Sequence, residues 1–182
     1  MAYKFLESKI SVSTDNAIHV AKNIKLQDLD NPELRLESCG NLASKLAESD
    51  RIREELIFFQ RDFPKKKVGA VLDGRDIGSV IFPDAKIKLF VTADLEVRAQ
   101  RRQEDYKKMG QEYSLRDLTE KLKERDKRDK NRKVSPLICM PDAIVFDNSE
   151  ISFERLNKEI IEIVEKKYKS LNLDINVKKP VK

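Results

Sequence analysis

The sequence predicts an α/β fold built on a parallel sheet. Three short apolar runs lack polar alternation and so suit strands buried on both faces: residues 68–72, 87–92 and 143–147. Segments with helical apolar spacing lie between and after them, so strand and helix alternate across the second half of the chain. The first run leads into Asp73-Gly74-Arg75-Asp76-Ile77-Gly78, and ligands of open α/β sheets bind beyond the carboxyl ends of the strands. An acid, a base and a second acid around a glycine can hold a phosphate, a sugar hydroxyl or a metal-bound water. The same stretch also suits a charged surface turn.

In chain order, Ala2, Phe5, Leu6 and Ile10 recur at helical spacing and predict a short amphipathic helix over 1–10, with no strand ahead of it. Residues 11–15 read as a turn, and 17–24 as a short helix or irregular segment. Asp28-Leu29-Asp30-Asn31-Pro32 is loop chemistry, because proline forces an extended residue before it. Helix is expected over 33–60, broken or bent near Gly40 and at Ser49-Asp50, with Leu42, Leu46, Ile52, Leu56 and Phe59 on its apolar side. Pro64-Lys65-Lys66-Lys67 forms a basic loop into the first strand. After the second strand a helix starts at Ala93 or Asp94 and runs to Met109, closed by Gly110. Ser114-Leu115-Arg116-Asp117 resembles a capping box, with aspartate for the usual Glu or Gln, and opens a charged helix to about Lys133 that Pro136 stops. Ser152 starts a last amphipathic helix carrying Leu156, Ile160, Ile161, Ile163 and Val164. The tail from Asn172 is predicted to be mobile.

A chain of 182 residues has room for one sizeable core with a small lid or insert. Its net charge of +5 favours anionic partners such as nucleotides, nucleic acid or acidic surfaces. Cys39 and Cys139 are far apart without C-x-x-C spacing and read as reduced thiols of a cytoplasmic protein. His19, the only histidine, cannot by itself make a zinc cluster or a triad. No leader-like stretch and no membrane-spanning apolar run is present.

Residues 124–132, Glu-Arg-Asp-Lys-Arg-Asp-Lys-Asn-Arg, are the most unusual stretch. On a helix Arg125, Arg128, Asp129 and Arg132 share one face, because positions three and four apart are neighbours. A solvated helix laced by i,i+4 pairs is one reading of these charges. Three guanidiniums against one carboxylate argue for another, since such a face repels itself until an anion completes it. Arginine's rigid fork also grips phosphate oxygens in pairs, which lysine does not. An arginine-rich helix after an α/β core suits phosphoryl transfer, where catalysis is mostly positioning and charge neutralisation.

Three blocks together resemble the bacterial cytidylate kinase family of nucleoside monophosphate kinases. They are Gly40-Asn41-Leu42-Ala43-Ser44 with Arg51-Ile52-Arg53, then Asp73-Gly74-Arg75-Asp76-Ile77-Gly78 through Phe82-Pro83-Asp84-Ala85, then 124–132 with Pro136-Leu137. Asp28-Leu29-Asp30-Asn31-Pro32-Glu33-Leu34-Arg35 is also similar to the insert that marks the family. The likeness covers nearly the whole chain in family order. It implies a P-loop kinase-like parallel sheet with helices on both faces, a CMP-binding region over about 11–63 and a short lid over about 113–136. The implied reaction is phosphoryl transfer from ATP to CMP or dCMP, with Mg2+, by a cytoplasmic monomer.

Carried over by position, the resemblance implies that Ser44, Arg53 and Asp76 read the cytosine base. Arg75 and Arg132 would hold the acceptor phosphate. Asp129, with Arg125, would bind ribose hydroxyls or close on the phosphates, which makes Arg75, Arg125 and Arg132 the candidate catalytic cations. Arg101 would lie against the donor's adenine, Arg128 would face donor phosphates, and Asp73 would order the magnesium water shell.

One family feature is missing. The five glycines, Gly40, Gly69, Gly74, Gly78 and Gly110, open no G-x-x-x-x-G-K-[ST] loop to cradle donor phosphates. The family places that loop on a first strand–loop–helix, so the expectation is a sheet incomplete at the N-terminus, with two unpaired edges, that needs a rearrangement or a partner segment. Two other readings stay open: a catalytically inactive fragment that at most binds CMP, and a basic nucleic-acid-binding module. The second has no interleaved aromatics and no recognised motif in its favour.

Overall fold

The structure is a computed structural model that describes Ala2, Lys4 and residues 13–64 and 70–171. Most of the helix expected over 1–10, the basic run Lys65-Lys66-Lys67 and the tail from Asn172 lie outside the described residues.

Helix α1 (Thr14–Lys22) starts at Ser13, whose hydroxyl accepts the Asn16 amide at 3.2 Å. Two 3-10 turns follow, Leu26–Asp30 and Pro32–Arg35. Asn31 caps the second through its side chain, and Pro32 stands in the first turn, where its missing N–H costs nothing. Next come α2 (Glu37–Leu46) and α3 (Asp50–Asp62), with the expected break at Ser49. Gly40 does not bend α2: its amide bonds the Leu36 carbonyl at 3.0 Å inside the first turns. A lone glycine weakens a helix by roughly 1 kcal/mol, which packing can override. Here α1, α2 and α3 enclose Ala17, Cys39, Leu46 and Ile52, with Leu34, Leu42 and Leu56 packed against them.

The apolar run 68–72 predicts a strand, and the structure corrects this for the residues it describes. Residues 70–72 lie in no strand, and Val71 is 97% exposed. A strand is held by its ladder of paired backbone groups. Among the described residues the only ladder joins two other segments, so apolar content alone does not suffice. After Asp76 the chain makes a π turn, Ile77–Ile81, closed by the Phe82 amide on the Ile77 carbonyl at 2.7 Å. Arg61 of α3 ties that turn down by donating to the Val80 and Ile81 carbonyls, each at 3.1 Å.

Strands β1 (Leu89–Thr92) and β2 (Ile144–Asp147) pair in parallel, Leu89 opposite Ile144 and Thr92 opposite Asp147. Parallel neighbours need a long crossover. It consists of α4 (Leu95–Lys108) and α5 (Leu115–Asn131), packed on each other around Ala99, Tyr106 and Leu118. Gly110 closes α4 with φ of 73°, which a residue without Cβ adopts freely. Ser114 caps α5 by accepting the Asp117 amide at 3.2 Å. The helix ends at Asn131, before Pro136, where Arg132 turns extended. A last helix, α6 (Phe153–Ser170), follows Ser152. The fold is thus mixed α/β, a parallel sheet with helices.

Candidate functional site

The centre of the site is the Asp129 carboxylate, in the last turns of α5, with its side chain 3% exposed. A buried carboxylate persists as an anion only when donors replace its water. Two side chains donate to it and two more add charge, from three parts of the chain. Ser44 of α2 donates its hydroxyl to Oδ1 at 2.9 Å, and Arg75 donates Nε to Oδ2 at 3.1 Å. Arg125 and Arg132 add their charges at 3.8 and 3.9 Å. Helical spacing puts Arg125 one turn before Asp129, and the extended turn at the end of α5 folds Arg132 back. There Arg132 Nε donates to the Ser135 carbonyl at 2.7 Å.

Beside this group lies a second buried pair, Arg53 of α3 and Asp76 at the start of the π turn, joined by a hydrogen bond. The two sets act on each other electrostatically. Burial first, and then the charge of Arg53, hold Arg132 below the usual arginine range. Burial, and then Arg75, do the same to Arg125. Four guanidiniums (Arg53, Arg75, Arg125, Arg132) face two carboxylates (Asp76, Asp129), an excess of two positive charges. Arg53 Nε, Arg125 Nε and Arg132 Nη2 are buried without a hydrogen-bond partner. Donors left in that state cost about 1–3 kcal/mol each, more when charged. An anion carrying two charges and several acceptor oxygens would satisfy both the excess and the orphaned donors.

Seven of the ten residues singled out in the sequence therefore meet: Ser44, Arg53, Arg75, Asp76, Arg125, Asp129 and Arg132. The other three do not join them. Arg101 donates to the Asn148 side chain and carbonyl and to the Ile151 carbonyl, at 2.7, 2.8 and 3.1 Å, and so fixes the turn after β2. Arg128 turns toward α2, donating to Asn41 at 3.2 Å and pairing with Glu48 at 3.6 Å. Asp73 is exposed and makes no hydrogen bond or ion pair among the described residues.

No group of three or more His, Cys, Asp or Glu side chains among the described residues could cage a metal ion. A single exposed carboxylate fits the way magnesium is usually held beside phosphates, by one or two carboxylates through its retained waters. Asp73, exposed two residues before Arg75, is one group of that kind. No helix among the described residues is long and apolar enough to cross a membrane.

Several contacts were not anticipated from the sequence. Lys121 of α5 pairs with Glu37 of α2 at 3.5 Å, and Arg98 of α4 with Asp126 of α5 at 2.7 Å. Arg102 of α4 reaches the Arg35 carbonyl at 3.1 Å. The repeat Arg98, Arg102, Tyr106 at four-residue spacing was the available signal for a polar stripe on α4.

The family model described as cytidylate kinase matches residues 3–166. The chain is 46% identical over 129 residues to the cytidylate kinase of Methylococcus capsulatus, an alignment covering 71% of this chain and 58% of that one. It is 38% identical over 165 residues to the cytidylate kinase of Cereibacter sphaeroides, covering 91% and 80% respectively. It is 39% identical over 155 residues to the cytidylate kinase of Bartonella henselae, covering 85% and 72%.

Proposed function

The chain belongs to the cytidylate kinase family, and from that premise we propose that its buried arginine cluster is the acceptor site for CMP or dCMP in phosphoryl transfer from ATP. One observation carries the reading: two excess positive charges and three orphaned guanidinium nitrogens lie around Ser44 and Asp129. A nucleoside monophosphate brings a phosphate with about two negative charges at neutral pH.

Each residue then has a distinct task. Arg75 and Arg132 grip the acceptor phosphate, and Arg125 adds charge where negative charge develops during transfer. Asp129 binds ribose hydroxyls once the phosphate takes over its cations. Ser44, Arg53 and Asp76 offer both donors and acceptors to a base that carries an exocyclic amine beside a carbonyl. Residues 11–63 form the acceptor-binding region and 113–136 the lid. Arg101 and Arg128 serve the donor ATP, Arg128 by leaving Asn41 and Glu48. Magnesium, bound with ATP, supplies further neutralisation of the transferred group, and Asp73 is the residue that would hold its water shell.

The 182 residues carry no glycine-rich phosphate loop, so the acceptor half of the reaction is the part these side chains support best. The test is ADP formation from ATP and CMP by the purified chain, alongside its Arg132→Ala variant. Transfer that disappears in the variant supports a complete kinase. Absence of transfer with CMP still bound restricts the function to acceptor binding. Neither transfer nor CMP binding overturns the proposal.

A further inference from the structure

The joint between α2 and the α4–α5 pair is built around Gly40, outside the residues assigned above. A Cβ added there would lie 3.1 Å from Arg125 Nη1 and 3.7 Å from Arg102 Nη2. Two guanidiniums thus pack across one bare stretch of helix, and like charges so placed push each other apart.

Arg102 is not free to yield. Its Nε donates to the Tyr106 hydroxyl at 2.9 Å, and Nη2 donates to the Arg35 carbonyl, just ahead of α2, at 3.1 Å. Its guanidinium also lies over the Tyr106 ring, 5.1 Å from the centroid. Tyr106 itself is wholly buried and packs on Tyr113 at 4.7 Å. On the same joint Lys121 pairs with Glu37 at 3.5 Å and lies over the Tyr113 ring. The crevice these side chains leave measures about 20 Å³, room for about one water and not for a ligand.

Arg125 is the less tethered partner by comparison. Its Nε makes no hydrogen bond, and its nearest carboxylate is Asp129 at 3.8 Å. The repulsion from Arg102 therefore presses it toward Asp129, against the opposing charge of Arg75 on that side. We propose that Arg102 is a positioning residue: anchored to Tyr106 and Arg35, it holds Arg125 on the acceptor-phosphate side of Gly40. The inference rests on the acceptor reading above for the identity of the phosphate, and on the contacts of Gly40, Arg102 and Arg125 for everything else. Because Arg102 acts through Arg125, its effect belongs to the phosphate and not to the base.

The experiment measures CMP and cytidine binding by calorimetry to the full chain and to its Arg102→Met and Arg102→Lys variants. Amide hydrogen exchange of the nucleotide-free proteins is followed in parallel. Methionine keeps an apolar stem on Tyr106 but loses the charge and both hydrogen bonds. The expected result is a fall of about tenfold in CMP affinity with cytidine unchanged, and recovery to within about threefold of the parent when lysine restores the charge. Exchange over 36–46 should quicken in Arg102→Met while α6 stays as it was.

Equal loss of CMP and cytidine affinity, or no loss of either, would overturn the proposal. So would unchanged exchange over 36–46. If the parent chain binds neither ligand, the acceptor reading fails on its own. Exchange in the nucleotide-free proteins then decides the anchor: no quickening over 36–46 overturns it, and quickening confined there upholds it.

Discussion

Ser44 and Asp129, separated by 85 positions in the chain, share a buried hydrogen bond of 2.9 Å. That bond joins α2 to α5 at the point where four guanidiniums converge. It ties two helices far apart in the chain, and it makes the site a joint between them.

Removing that hydroxyl should weaken both properties. Ser44→Ala leaves the Asp129 carboxylate one donor short in a place water reaches poorly. A destabilisation of about 1–3 kcal/mol is expected from urea unfolding, together with weaker CMP binding. An unchanged midpoint would mean that Asp129 finds another donor.

Arg132 behaves in the opposite way under the proposed function. Its side chain is 3% exposed, one of its nitrogens is orphaned, and Arg53 and Arg75 both oppose its charge. An ion pair kept for stability loses about 3–5 kcal/mol when one partner is removed. Arg132→Met should lose much less than that, because it relieves repulsion, while CMP affinity collapses. A large loss of stability would mark Arg132 as structural.

The ligand's own titration gives a pH signature. A phosphate monoester takes up its second proton near pH 6, so its charge falls from about two to about one as pH drops through that value. Stabilisation by CMP, about 2.7 kcal/mol at a concentration about 100 times its Kd, should shrink below pH 6. Thermal melts with and without CMP at pH 5 and 7.5 measure this, and cytidine should give no such trend.

Lys88 offers a test outside the arginine cluster. Its side chain is 7% exposed, packs against Gly78, and bonds the Pro83 carbonyl and, at 2.7 Å, Asp142. The hydrogen bond from Lys88 holds Asp142 below the usual carboxylate value. A depressed carboxylate stabilises the fold above its unfolded pKa, near 3.9, and that contribution is lost as pH falls through the folded value. NMR titration should find Asp142 low in the parent chain and restored upward in Lys88→Met.

Much of this arrangement was legible in the sequence. Both strands of the observed sheet, the Ser114 cap and Gly110 stop of the α4–α5 pair, and the Ser152 start of α6 follow from local pattern. Arg75, Asp76, Arg125, Asp129 and Arg132 stood out by their charges along the chain, whereas Ser44 and Arg53 came only with the family resemblance. The strand expected at 68–72 is absent from 70–72, the part described, because an apolar run says nothing about the partner a strand needs. Gly40 was misread as a bend because its use, a close approach by Arg125 and Arg102, lies in residues more than sixty positions away. Arg101 and Arg128, expected to face the donor, hydrogen-bond the turn after β2 and α2. Composition could not have distinguished those partners.

The central claim is that the arginine cluster is built for the phosphate of a cytosine nucleotide. The most direct measurement is calorimetric titration of the 182-residue chain with CMP, UMP and cytidine at neutral pH. The account predicts a single CMP per chain, bound more tightly than UMP because Asp76 and Arg53 read the base, and more tightly than cytidine because the guanidiniums hold the phosphate. Equal binding of all three, or none, with salt-sensitive binding to RNA in their place, would contradict it.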